Sequence, residues 1–169
     1  AAYAPLGISF STGANGFIIQ DASAPGGLRQ IKQGEMILLS TPQDSLKCAG
    51  WGSLKPIPNQ YVLTLPEIVQ INEATNTFNN KIKSLADAKG LALADINAFM
   101  NRAKTGFMYN GIGMNAQFIS GGIFSLDGVH LTPIGNALLA NEFIKSINGK
   151  YGSSIPQIDA TKYKGVIFP

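Results

Sequence analysis

The sequence predicts an α/β fold, and three stretches carry that expectation. Ile68, Ile71, Thr75, Phe78, Ile82 and Leu85 recur at three-and-four spacing, as one face of a long helix does. Behind the stop at Lys89-Gly90, Leu91-Ala92-Leu93-Ala94-Asp95-Ile96 is a short apolar run of the kind that forms a buried parallel strand. A second helical pattern, Ile134, Ala137, Leu138, Asn141, Ile144 and Ile147, closes the regular part of the chain. Helix, strand, loop and helix in that order belong to an α/β architecture. With 169 residues, 45% hydrophobic and 14% charged, the chain fits a single domain, or a fragment of one, with a substantial core.

Residues 1–60 are rich in glycine, proline and serine and read as strand and loop. Phe17-Ile18-Ile19 and Met36-Ile37-Leu38-Leu39 suit strands, with Pro25-Gly26-Gly27 as the turn signal between them. Trp51, between two glycines, is a loop anchor or a ligand platform; with no aromatic partner near it in sequence, the anchor role is favoured. Tyr61-Val62-Leu63 is an extended entry, and Thr64 is a cap candidate ahead of Leu65-Pro66-Glu67. Asp95 stands at the carboxyl end of the expected strand, where open α/β sheets bind ligands, although a plain turn residue accounts for it as well. Residues 98–123 are expected to hold a short helix at Phe99–Ala103, then Gly111-Ile112-Gly113, then an apolar Phe118-Ile119. The glycine pair is not a phosphate loop, because no strand-to-helix Gly-x-Gly-x-x-Gly pattern surrounds it. Residues 61–150 thus form the α/β core, and residues 151–169 an extended tail ending in Val166-Ile167-Phe168.

Composition removes several classes of function. A net charge of +3 is modest, and the basic residues are scattered from Arg29 through Arg102 and Lys104 to the carboxyl end, not gathered in a stripe, so no nucleic-acid surface is expected. Cys48 has no second cysteine to pair with, and one histidine leaves no usual zinc set, so neither metal nor cofactor is expected. No apolar run approaches the roughly 20 residues that cross a bilayer, and no transmembrane segment is expected. The opening Ala-Ala-Tyr-Ala-Pro has no start methionine or leader and reads as if cut from something longer.

The chemistry concentrates in Phe124-Ser125-Leu126-Asp127-Gly128-Val129-His130-Leu131-Thr132-Pro133, which holds the chain's single histidine. A neutral imidazole is the usual proton acceptor near neutral pH, and a carboxylate on Nδ1–H fixes its tautomer and stabilises the imidazolium. Gly128 frees the intervening turn, so that Asp127 and His130 can fold toward each other. Thr132 reads as an N-cap and Pro133 as the first residue of the last helix, placing the histidine just before a helix anchored in the core. Taken alone, Asp-x-x-His also describes an ordinary surface turn.

The run DGVHLTPIGNALLANEFI resembles the final sequence block of the SGNH hydrolases, or GDSL-type esterases, in which Asp-x-x-His supplies two members of a serine triad. The resemblance implies a flavodoxin-like, three-layer α/β fold, with residues 1–60 as a strand-and-loop insertion. It also implies Asp127 and His130 as catalytic residues, with hydrolysis of a small-molecule, lipid or sugar ester. Members of this bacterial type look exported, which implies an extracellular, periplasmic or cell-surface location. The family's earlier blocks, Gly-Asp-Ser, a glycine block and Gly-x-Asn, are not intact here. Pro42-Gln43-Asp44-Ser45-Leu46 differs from Gly-Asp-Ser-Leu by one residue, yet one probable core strand and no Asn block separate Ser45 from Asp127. The nucleophile and oxyanion donors are therefore expected on a missing amino-terminal portion, with this chain inactive alone.

Two functions stay open at this point. One is the acid–base half of a serine esterase; the other is a non-catalytic binding or structural module that keeps the fold, with residues 1–60 as a recognition surface. A parallel sheet cut through its core exposes strand edges, so self-association, strand exchange or pairing with the missing portion is expected.

Overall fold

A computed structural model of the chain describes residues 3–117 and 120–166. It divides into two compact units, Ala1–Phe78 and Asn79–Pro169, with the boundary inside one long helix. Helices and small antiparallel strand pairs are mixed, which is compatible with an α/β class.

In the amino-terminal unit, β1 (Ile18–Gln20) pairs antiparallel with β2 (Leu28–Gln30), Ile19 opposite Arg29. The turn between them runs through Pro25–Gly27, as Pro-Gly-Gly suggests. β3 (Met36–Ile37) pairs with β4 (Val62–Leu63), and a short helix α1 (Gln43–Lys47) lies between them in sequence. Ile19, Ile57 and Val62 form the buried centre, and Trp51 packs against it with its ring 5.6 Å from that of Tyr61. Trp51 is thus a loop anchor. Arg29 ties the unit's loops together: its Nε donates to Asp21, while Nη1 and Nη2 donate to the two carboxylate oxygens of Glu35 at 2.6 and 2.7 Å.

Helix α2 (Leu65–Lys89) starts where the sequence places it. The Glu67 carboxylate accepts from both the amide and the hydroxyl of Thr64, at 2.8 and 2.6 Å, and so holds the residue that precedes the helix. Its three-and-four apolar stripe is largely open: only Ala86 is buried, and Ile71, Phe78, Ile82 and Leu85 are exposed.

The parallel strand expected at Leu91–Ile96 is not formed. Residues 91–95 pair with no strand, and the Asp95 carboxylate accepts from the Ala98 amide at 2.8 Å, capping α3 (Ile96–Thr105). A strand needs a neighbour for its main-chain groups, whereas the cap satisfies an orphan helix amide locally; Ile96 joins the helix, and Asp95 is a structural cap. The expected Phe99–Ala103 helix lies inside α3. The sheets are antiparallel pairs throughout the described residues, where a parallel sheet was expected. β5 (Phe107–Tyr109) and β6 (Ile112–Met114) form a hairpin closed by Asn110 and Gly111, both at positive φ. Gly111-Ile112-Gly113 therefore belongs to a hairpin. Phe118-Ile119 and the last two residues of Val166-Ile167-Phe168 lie outside the described residues.

The core of the carboxyl-terminal unit gathers Phe99, Ala103, Met114, Ile123, Ile134, Ala137, Leu138 and Ala160. Helix α4 (Pro133–Tyr151) supplies its central face, with Ile134, Ala137, Leu138 and Asn141 buried and Ile144 and Ile147 half-buried, as the periodicity predicts. Gly152, in the left-handed region, ends α4 and turns the chain back. The returning tail is held by two side-chain amides. Asn148 donates to the Ile155 carbonyl and accepts from its amide at 2.8 and 3.0 Å, and Asn141 does the same to Ile158 at 2.8 and 2.7 Å. Seven helical residues rise about 10.5 Å and three extended residues span about 10 Å, so the two clasps fall in step.

Candidate functional site

The candidate site is built on the segment that leads into α4. Phe124 and Leu131 form an antiparallel bridge, and the Thr132 amide donates to the Ile123 carbonyl at 2.9 Å. Beyond that bridge the Ser125 amide donates to the His130 carbonyl at 2.8 Å, and the Gly128 amide donates to the Ser125 carbonyl at 3.0 Å. Residues 125–130 are thus a closed turn, with Gly128 at φ 71° where a side chain would be strained. The turn is fixed to the helix by Thr132. Its hydroxyl accepts from the Gly135 amide at 3.1 Å, as an N-cap does, and donates to the Gly122 carbonyl at 2.7 Å.

Within the turn, Asp127 and His130 meet. The Asp127 Oδ2 and His130 Nδ1 atoms are 2.6 Å apart. Oδ1 accepts from the Ser125 hydroxyl at 2.6 Å and from the amides of Val129 and His130, each at 2.9 Å. These donors hold the Asp127 carboxyl well below the usual carboxylate range, the Ser125 hydroxyl first, then the imidazole, then the two amides. An ionised carboxylate only accepts, so the proton of the neutral imidazole sits on Nδ1 and Nε2 carries the lone pair. The His130 side chain is 82% exposed and that of Asp127 50%. Leu126 and Val129, also exposed, flank the pair.

The arrangement can take a proton at Nε2 and return it, with the resulting cation stabilised by Asp127. Among the described residues no hydroxyl hydrogen-bonds to Nε2, and no group of three His, Cys, Asp or Glu side chains converges on a metal-sized site. Ser45 lies on α1 in the amino-terminal unit, where its carbonyl accepts from the Trp51 amide at 3.0 Å. Asp95 serves α3. No helix of the described residues is long and apolar enough to cross a membrane. Ser125 and its hydrogen bond to the carboxylate were not anticipated, although a serine two residues ahead of an aspartate in a glycine turn is the signal for such a contact. Comparison with protein-family models, with curated proteins and with solved structures finds no match.

Proposed function

We propose that Asp127 and His130 are the acid–base half of a Ser-His-Asp esterase of the SGNH, or GDSL, type, and that this chain is the carboxyl-terminal part of its three-layer α/β fold. The observation that carries the reading is the 2.6 Å contact between an ionised carboxylate and Nδ1 of an exposed imidazole. Support also comes from the mounting of that imidazole two residues before the Thr132 cap of a core helix. In this reading Nε2 of His130 removes the proton of a serine hydroxyl as its oxygen attacks the ester carbonyl. Asp127 steadies the imidazolium, which then protonates the departing alkoxide. The acyl–serine is cleaved by water activated at the same Nε2, giving a carboxylic acid and restoring the serine. In this reading the nucleophile and the oxyanion donors lie on an amino-terminal portion outside this chain; among the described residues no hydroxyl hydrogen-bonds to Nε2.

The test is hydrolysis of p-nitrophenyl acetate by this chain and by a longer chain carrying a Gly-Asp-Ser block, each with and without His130→Ala. The expected result is no turnover by the chain alone and turnover by the longer one that His130→Ala lowers by roughly 10³-fold or more. Undiminished turnover in the longer His130→Ala protein would overturn the reading. Turnover by the chain alone that Ser45→Ala abolishes would transfer the nucleophile to Ser45.

A further inference from the structure

We infer that Ser125 is a positioning residue that aims the Asp127 carboxylate at His130, an inference that rests on the proposed acid–base role of the pair. A carboxylate on an exposed turn has two equivalent oxygens and a freely rotating terminal torsion, so its direction must be set from outside. Three donors converge on Oδ1: the Ser125 hydroxyl at 2.6 Å and the amides of Val129 and His130 at 2.9 Å. Oδ2 is left to Nδ1 of the imidazole, at 2.6 Å.

The two amides and the hydroxyl reach Oδ1 from opposite sides of Asp127 in the chain. Val129 and His130 follow it and move with the ring they serve. Ser125 precedes it and belongs to the other limb of the turn, tied there by its amide on the His130 carbonyl and its carbonyl on the Gly128 amide. Its hydroxyl is therefore the one side-chain bond, among those described, that connects the carboxylate to the limb leading back to the Phe124–Leu131 bridge. Hydrogen bonds to an ionised acceptor are the strong ones, and this is the shortest of the three on Oδ1. Ser125 touches no reacting atom; it acts through Asp127.

The single histidine makes the claim measurable without activity, because every imidazole ¹⁵N signal belongs to His130. Among the described residues no other charged side chain pairs with Asp127 or His130, so the tautomer ratio reads this contact. The ratio of Nδ1–H to Nε2–H is measured in the neutral ring at alkaline pH in the unsubstituted chain and in Ser125→Ala, Ser125→Cys, Ser125→Thr and Asp127→Asn, with far-ultraviolet circular dichroism as the check on folding. The unsubstituted chain is expected to favour Nδ1–H and Asp127→Asn to lose the preference. Ser125→Ala is expected to lower the ratio on the order of tenfold, the size of one charge-assisted bond. Ser125→Thr keeps the hydroxyl and the ratio. Ser125→Cys keeps the shape with a weak donor and lowers the ratio, which decides the matter even where Ser125→Ala disturbs the turn. An unchanged ratio in folded Ser125→Ala and Ser125→Cys, alongside a lost preference in Asp127→Asn, would overturn the role of Ser125 and leave the acid–base pair standing. An unchanged ratio in Asp127→Asn would remove both.

Discussion

Gly135, on the first turn of α4, faces the Ile123 carbonyl so closely that an added Cβ would collide with that oxygen. The collision is with backbone, which cannot swing aside, and Ile123 is fully buried. Gly135→Ala is therefore expected to destabilise the carboxyl-terminal unit by about 2 kcal/mol, read as a fall in the urea midpoint. Gly149 in the same helix has nothing within 4 Å of the added atom, and Gly149→Ala is expected to stabilise by about 0.5–1 kcal/mol. Equal effects at the two positions would contradict the close approach.

Thr132 serves α4 and the Asp127–His130 turn with one oxygen. Thr132→Ala removes both the cap on Gly135 and the bond to the Gly122 carbonyl, in a buried place, and is expected to cost about 2 kcal/mol. Thr132→Ser keeps the oxygen and is expected to recover most of the loss. Because the turn hangs from this residue, the His130 tautomer preference should weaken in Thr132→Ala well before the helix melts, as nitrogen-15 spectra can follow.

Arg29 lies between Asp21 and Glu35 with 16% of its side chain exposed, and the Glu35 side chain is only 2% exposed. Arg29→Gln leaves that carboxylate unpaired, and the amino-terminal unit is expected to lose about 3 kcal/mol at pH 7. Glu35 is held below the usual carboxylate range chiefly by Arg29, and Asp21 by Ser23 and then Arg29. Groups with depressed folded pKa values add stability above their unfolded values near 4, and that stability is lost as pH falls through the lower folded values. Acidification below about pH 4 should therefore weaken the unsubstituted protein more steeply than Arg29→Gln, which loses the share that Arg29 contributes at Glu35 and Asp21. Equal slopes in acid unfolding would contradict the pairing.

Asn141 is buried with its amide on both main-chain groups of Ile158. Asn141→Leu keeps the branching at Cγ but strips Ile158 of those partners, and a loss of about 2 kcal/mol is expected in urea unfolding. Asn148 makes the same pairing with Ile155 near the surface, where water substitutes, so Asn148→Ala is expected to cost under about 1 kcal/mol.

Local signals were the legible ones. Thr64 with Glu67, and Thr132 with Pro133, mark helix starts because a cap is completed within four residues, and both helices begin there. Asp127 and His130 meet for the same reason: the glycine turn between them closes locally. Leu91–Ile96 misled because an apolar run does not carry its own neighbour, and Asp95 offered the next residues a helix instead. Asn110-Gly111 carries a local signal too, two residues tolerant of positive φ between short apolar runs, and they close a two-residue hairpin turn. The clasps of Asn141 and Asn148 match two different rises per residue across a reversal at Gly152, a relation no single window of sequence displays.

The tail owes its place to side chains reaching out from α4 and to Tyr109, whose hydroxyl donates to the Ile158 carbonyl and accepts from the Ala160 amide. No strand lies beside it among the described residues. A protease that cut after Gly152 would sever the covalent thread and leave those grips untouched. The nicked protein would travel through a sizing column as one particle and come apart into two peptides only in denaturant.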